Sequence, residues 1–264
     1  MTARASHQPP GRYRFRHLAR MEWIKLRSLR STWIALTLAV VAPAGIAVAT
    51  GGGNTTSGGM SVSNTLAGML IGVLLFGVAG VLAMTGEYAS GTISATFAAA
   101  PRRLRVLAAK AAVVGAAALV AGEAAAFLSF FAGGMTLRHG ITAPALSQPG
   151  VLRAIVLTGA SLSLAGLFGL GLGAIIRHTA AAITVVVGIV FVGGTFIGQS
   201  DFAIRPYLPL YIVSHSLGAT GPAPACFPGM ASCWLSPWSG LGLLAGYAAI
   251  AMLLGGLILA RRDA

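Results

Sequence analysis

Charged side chains are scarce in this sequence, and their scarcity excludes a water-soluble protein. Only 9% of the 264 residues are Asp, Glu, Lys or Arg, whereas a soluble domain carries about 25%. The apolar fraction is 56% and the mean hydropathy is +0.83. Five acidic and eighteen basic residues cannot cover the surface of a soluble body of this size. The composition therefore predicts a multi-pass membrane protein.

Motifs for nucleotide hydrolysis and for metal-dependent catalysis are missing as well. The sequence has no G-x-x-x-x-G-K-[ST] segment, and neither of its two lysines, Lys25 and Lys110, follows a glycine-rich loop. The five acids are dispersed, and the five histidines lack zinc-ligand spacing. We therefore expect no catalytic residue, no metal site and no cofactor bound by this chain, which disfavours an intramembrane enzyme.

Six segments with little or no charge are long enough to cross a bilayer as helices, since about 20 residues span its core of about 30 Å. They run near Trp33–Thr50, Val62–Thr85, Ala111–Leu137, Ala154–Ile176, Thr179–Gln199 and Leu241–Ala260. The net charge of +13 comes from short basic clusters between these segments, a layout that argues against nucleic-acid binding. Fifteen of the eighteen bases fall on one side, so we expect both termini in the cytoplasm.

Residues 13–32 are predicted to form an amphipathic helix at the inner membrane interface. Apolar residues between Phe15 and Trp33 share one stripe, and four arginines share its flank: Arg16, Arg20, Arg27 and Arg30. Glu22 interrupts the apolar stripe, where Lys25 or a partner elsewhere in the fold would satisfy its charge. Residues 1–12 are predicted to be disordered, and residues 33–264 to form the membrane domain. A leader that only sets orientation, or a signal cleaved after Ala49, is the alternative.

The segment between the second and third predicted spans, residues 86–110, has features that a simple linker does not require. Ser90 or Thr92 can cap a short helix in which Ile93 and Phe97, four residues apart, share an apolar edge. Glu87 precedes this edge, and arginines follow it. An apolar edge at an aqueous surface indicates a membrane interface or a docking partner. The alternative is a basic loop that only enforces topology.

Here the sequence resembles a known family. The pattern Gly86-Glu87-Tyr88-x-x-Gly91-Thr92-Ile93, followed by Pro101-Arg102-Arg103 and Lys110-Ala111, is similar to the permease subunit of type-2 ABC exporters, particularly actinobacterial-like, alanine-rich members. The arm Glu22-Trp23-x-Lys25-Leu26-Arg27-Ser28 leading into Trp33 resembles the start of the same subunit. The resemblance implies that this arm is an interfacial connecting helix. It also implies that residues 86–110 dock on an ATP-binding subunit through Glu87, Gly91, Thr92, Ile93, Phe97, Arg102 and Arg103.

The family further implies a function. The chain is expected to be the permease subunit of an ATP-driven exporter in a bacterial plasma membrane. It is expected to pair with a second permease, as a homodimer or a heterodimer, and to rely on a separate subunit that binds ATP and Mg²⁺. A non-transporting membrane scaffold of the same topology is the alternative.

Two further sets of residues attract functional hypotheses. Glu123 is the one ionisable residue well inside a predicted span, and it lines a substrate path or serves as a satisfied packing residue. The predicted extracytoplasmic loop, residues 199–240, holds the only two cysteines, Cys226 and Cys233. Because this loop would face an oxidising compartment, we expect the two cysteines to form a disulfide.

Overall fold

The fold consists of helices. The structure, a computed structural model, describes residues 15–28, 30–51, 62–93, 96, 103–135, 144–197, 204–217 and 235–261. These residues contain no strand. They contain seven α-helices of nine residues or more, numbered here in chain order: α1 Phe15–Ser28, α2 Arg30–Gly51, α3 Met69–Ala89, α4 Arg103–Met135, α5 Val151–Ile176, α6 Thr179–Val187 and α7 Pro237–Arg261.

Five of these helices, α2, α3, α4, α5 and α7, are long and apolar enough to cross a membrane. The chain is therefore an all-α, multi-pass membrane protein. The segment predicted as the fifth span begins as α6, and the apolar helix that starts there, Thr179–Val190, is shorter than the other five. It continues as a π-helix over Gly188–Ile197, which includes three glycines, and glycine is a poor former of α-helix. A sixth crossing stays a prediction.

Several boundaries differ from the sequence-based ones. The amphipathic helix ends at Ser28, and α2 already begins at Arg30. Helix α4 begins at Arg103, eight residues before the predicted span, because the bases at its start are accommodated within the helix. In the predicted outer loop, short helical turns at Pro209–Tyr211 and Ile212–Leu217 bury apolar side chains in the core, including Ile212 and Leu217.

Helix α5 lies at the centre of the bundle, where it packs against α3, α4 and α7. It crosses α3 with backbone against backbone. A Cβ atom on Gly80 would overlap the carbonyl oxygen of Gly166, and one on Gly169 would overlap that of Gly77. Small residues permit such close approach between membrane helices. Arg177, with a left-handed φ of 60°, ends α5 and starts the short turn into α6.

Candidate functional site

The ends of several helices meet at one end of the bundle, which we call the basic end. It comprises the last turns of α3, α5 and α7 and the first turns of α4. One apolar cluster joins these elements through Met84, Leu107, Ala174 and Leu259. Arg103 donates a hydrogen bond to the carbonyl of Leu259 at 3.2 Å, which satisfies an acceptor in the last turn of α7.

Two lysines and two glutamates form an ion cluster at this end: Glu22, Lys25, Glu87 and Lys110. Lys110 Nζ lies 2.6 Å from Glu22 Oε2 and 2.8 Å from Glu87 Oε1. Lys25 Nζ lies 3.0 Å from Glu87 Oε1 and 3.3 Å from Glu22 Oε1. Each lysine therefore contacts both glutamates, so the four formal charges cancel within the cluster.

The cluster joins three separate pieces of the chain. Glu22 and Lys25 belong to α1, Glu87 lies in the last turn of α3, and Lys110 lies in the second turn of α4. Lys25 also donates a hydrogen bond to Thr96 Oγ1 at 3.1 Å, which attaches the segment after α3 to the amphipathic helix. A displacement of any one piece must move the others or break ion pairs.

Because these ion pairs are partly or fully buried, breaking them costs more free energy than breaking exposed ones. The side chains of Glu22 and Lys110 are 3% and 6% exposed, whereas that of Lys25 is 30% exposed. Burial lowers the pKa of Lys25, but the hydrogen bonds and charges of Glu87 and Glu22 outweigh it and place that pKa above its usual value. Lys25 therefore stays protonated well above neutral pH. A buried group that loses its partner is left with an uncompensated charge, which costs far more than an exposed ion pair contributes.

Local sequence explains why α1 lies where it does. Leu18 and Glu22 are four residues apart and are the two buried residues of α1. Leu18 packs against Val106 and Ala109 of α4, and Glu22 meets Lys110 one residue further along the same helix. The indole of Trp33, in the first turn of α2, donates to the carbonyl of Arg27 at 3.0 Å across the break between the two helices.

The residues predicted to dock on a partner occupy different environments. Gly91, with a φ of +69°, and Thr92 are exposed. Ile93 does not form an exposed edge: it is 7% exposed and packs against the ends of α3, α4, α5 and α7, and a docking role for it stays a prediction. Glu87 likewise faces inward to the lysines, and Arg103 bonds to α7. Phe97, Arg102, Cys226 and Cys233 lie outside the described residues.

Glu123 lies in the middle of α4, half-buried against α5. A Cβ on Gly159 would come within 2.8 Å of its carboxyl group, so the glycine leaves room for that group. Among the described residues its buried Oε2 has no hydrogen-bond partner. Glu123 lines neither the cleft between α2, α3 and α4 nor the pocket bounded by Phe168, Tyr207 and Tyr247. Its role in a substrate path stays a prediction.

Sequence reasoning missed Lys110 and Thr96 as members of the site, and it did not bring Glu22 and Glu87 together. One signal was available. The chain uses arginine for nearly all its bases, and both of its lysines belong to the ion cluster. The described residues contain no group of side chains suited to hold a metal ion. No family model and no curated protein matches the chain.

Proposed function

We propose that this chain is the membrane subunit of an ATP-driven exporter of the type-2 ABC family, in a bacterial plasma membrane. The ion cluster is the observation that carries the proposal. It joins the amphipathic arm, the end of α3 and the start of α4, and its Lys25 also donates a hydrogen bond to Thr96 in the segment that follows α3. A displacement of that segment would therefore move α1, α3 and α4 together. A membrane subunit that is driven by a partner outside the membrane requires such a connection.

The energy source is a separate subunit. The sequence contains no P-loop, so ATP and Mg²⁺ would be bound by a partner that docks at the basic end. Closure of two such ATP-binding subunits would displace the segment after α3 in each of two permease chains, whether identical or different. The ion cluster would pass this displacement to α1, α3 and α4, and the path between the permeases would open to the opposite side.

The proposal includes an orientation with the basic end in the cytoplasm, and cysteine labelling tests it. In a variant that lacks Cys226 and Cys233, a single cysteine at Ser90 should resist an impermeant thiol reagent applied to intact cells. One at Ser147, which precedes α5 at the other end of the bundle, should react. Both positions are exposed, so access to the reagent differs only by the side of the membrane. Labelling of the Ser90 position in intact cells would contradict this orientation.

Docking of the ATP-binding subunit is expected to depend on Thr92. This residue is exposed, whereas Ile93 beside it is committed to the bundle. Thr92→Asp would place an unpaired charge in the contact, and the desolvation of that charge opposes docking. We expect the variant to reach the membrane in normal amounts but to lose copurification with the ATP-binding subunit, together with export.

The matched control is His178→Asp. His178 is also exposed and caps the start of α6 through its ring nitrogen, a role that aspartate performs well. It places the same charge in the turn after α5, a different segment of the basic end. We expect it to retain the ATP-binding protein. If Thr92→Asp binds that protein as well as His178→Asp does, docking does not depend on Thr92. If the wild-type chain itself copurifies with no ATP-binding protein, a non-transporting scaffold becomes the better interpretation.

A further inference from the structure

A cleft of about 600 Å³ runs from the ion cluster into the bundle between α2, α3 and α4. Its polar end is formed by the cluster together with the hydroxyl-bearing residues Ser28, Thr32, Ser90 and Thr92. The rest of its wall is apolar: Leu26, Leu36, Phe76, Leu82 and Val114. The cleft therefore has one charged end and one long apolar body.

The cleft exists because α2 and α3 diverge toward the basic end. Farther from that end the two helices touch, since a Cβ on Gly68 would overlap the backbone of Pro43 and one on Gly72 would lie 3.4 Å from the Pro43 ring. Nearer the basic end, Leu36 of α2 and Leu82 of α3 instead line the opening. Leu82 is 42% exposed, so the apolar body opens sideways out of the bundle.

The dimensions of the cleft match one leaflet of a bilayer. Along α3 its lining runs from Glu87 to Phe76, eleven residues that rise about 16 Å. The hydrocarbon core of a membrane is about 30 Å thick, so this depth corresponds to about half of it. The polar end then lies at the membrane interface and the apolar floor near the middle of the bilayer.

We infer that this cleft binds a phospholipid of the leaflet at the basic end, with one acyl chain inside. Water is excluded from an apolar cleft in hydrocarbon because it finds no hydrogen-bond partners there. The lipid headgroup lies at the polar end of the cleft, where the four charges of the ion cluster cancel and Lys25 already donates to Glu22, Glu87 and Thr96, so Lys25 does not itself hold the phosphate. The arginines on the flank of α1 add attraction for phosphate. Such a site requires only the membrane-embedded fold, and it does not depend on ATP-driven transport.

Photolabelling of the purified full chain in phosphatidylethanolamine–phosphatidylglycerol vesicles tests this inference. The probe is a phosphatidylethanolamine with a diazirine in its acyl chain. We expect label on Leu36, Phe76 or Val114, identified by mass spectrometry. Ala117→Phe, which fills the cleft from α4, should abolish this label, and Ala79→Phe should do the same from α3. A diacylglycerol probe with the same chain but no phosphate should label these residues less.

Ala116→Phe is the matched control, because Ala116 is the exposed neighbour of Ala117 and does not line the cleft. It should keep the label. Label on Leu253, which is 67% exposed on α7, should be the same in all variants and reports that the chain is inserted and that the probe reacts. The inference is overturned if wild type labels at Leu253 but not in the cleft, or if Ala117→Phe and Ala116→Phe label the cleft equally. Equal labelling by the two probes would overturn the phosphate contact.

Discussion

Lys110→Met is expected to remove a large part of the stability of the fold. The substitution keeps an apolar stem of similar length but removes the positive charge beside Glu22, which is 3% exposed. Breaking a buried ion pair by removing one partner costs about 3–5 kcal/mol, a large part of a total stability of about 5–15 kcal/mol. The midpoint of thermal unfolding in detergent, followed by tryptophan fluorescence, measures the loss.

Lys25→Met provides the comparison. Lys25 contacts the same two glutamates, but its side chain is 30% exposed. Water therefore screens its charge in the wild type and can hydrate the glutamates once the lysine is removed. We expect its loss to cost less than half as much as the loss of Lys110. The double variant Glu22→Gln, Lys110→Met should be more stable than the sum of the two single effects predicts, because no charge is then left without its partner. Additive effects, or equal costs for the two lysines, would show that the cluster is not a buried, coupled unit.

The ion cluster marks the limit of what the sequence could reveal about the site. The pair of Glu22 with Lys25 follows from their spacing of three on a helix. The pair of Glu22 with Lys110 joins residues 88 positions apart, and nothing in either local pattern specifies that contact. Glu87 was expected beside a partner protein because it opens a motif at an aqueous surface. Its place inside the cluster depends on how α1 packs over α4, which is decided by tertiary contacts such as that of Leu18.

The fold was more predictable than the site, because long apolar runs have few structural options in a membrane. The helices α2, α3, α4, α5 and α7 were all expected from their length and hydropathy. The orientation of Ile93 was not. An apolar residue near the membrane surface can pack against a partner or against its own bundle. Which of the two occurs depends on whether neighbouring helix ends cover the residue. Here Met84, Leu107 and Leu259 provide the cover.

Gly80→Ala is expected to disrupt the crossing of α3 and α5. The added Cβ atom would overlap the carbonyl oxygen of Gly166, and backbone cannot rotate aside as a side chain can. The helices must separate, which also opens the contact of Gly169 with Gly77 one turn away. Overpacking of a core costs about 1–3 kcal/mol, and more where backbone must move. We expect a lower unfolding midpoint and less full-length protein in the membrane.

Two other glycine-to-alanine substitutions on the same helix are expected to have smaller effects than Gly80→Ala. At Gly77 the new Cβ would lie 2.9 Å from Cγ1 of Val186, a side chain that can shift, so Gly77→Ala should cost less than Gly80→Ala. At Gly86 nothing lies within 4 Å. Gly86→Ala should therefore be neutral or should stabilise α3 by about 0.4–1 kcal/mol, since alanine restricts the unfolded chain. If all three variants unfold at the same midpoint, α3 and α5 do not cross through their backbones. The order Gly86→Ala, Gly77→Ala, Gly80→Ala, from most to least stable, is the result that close packing requires.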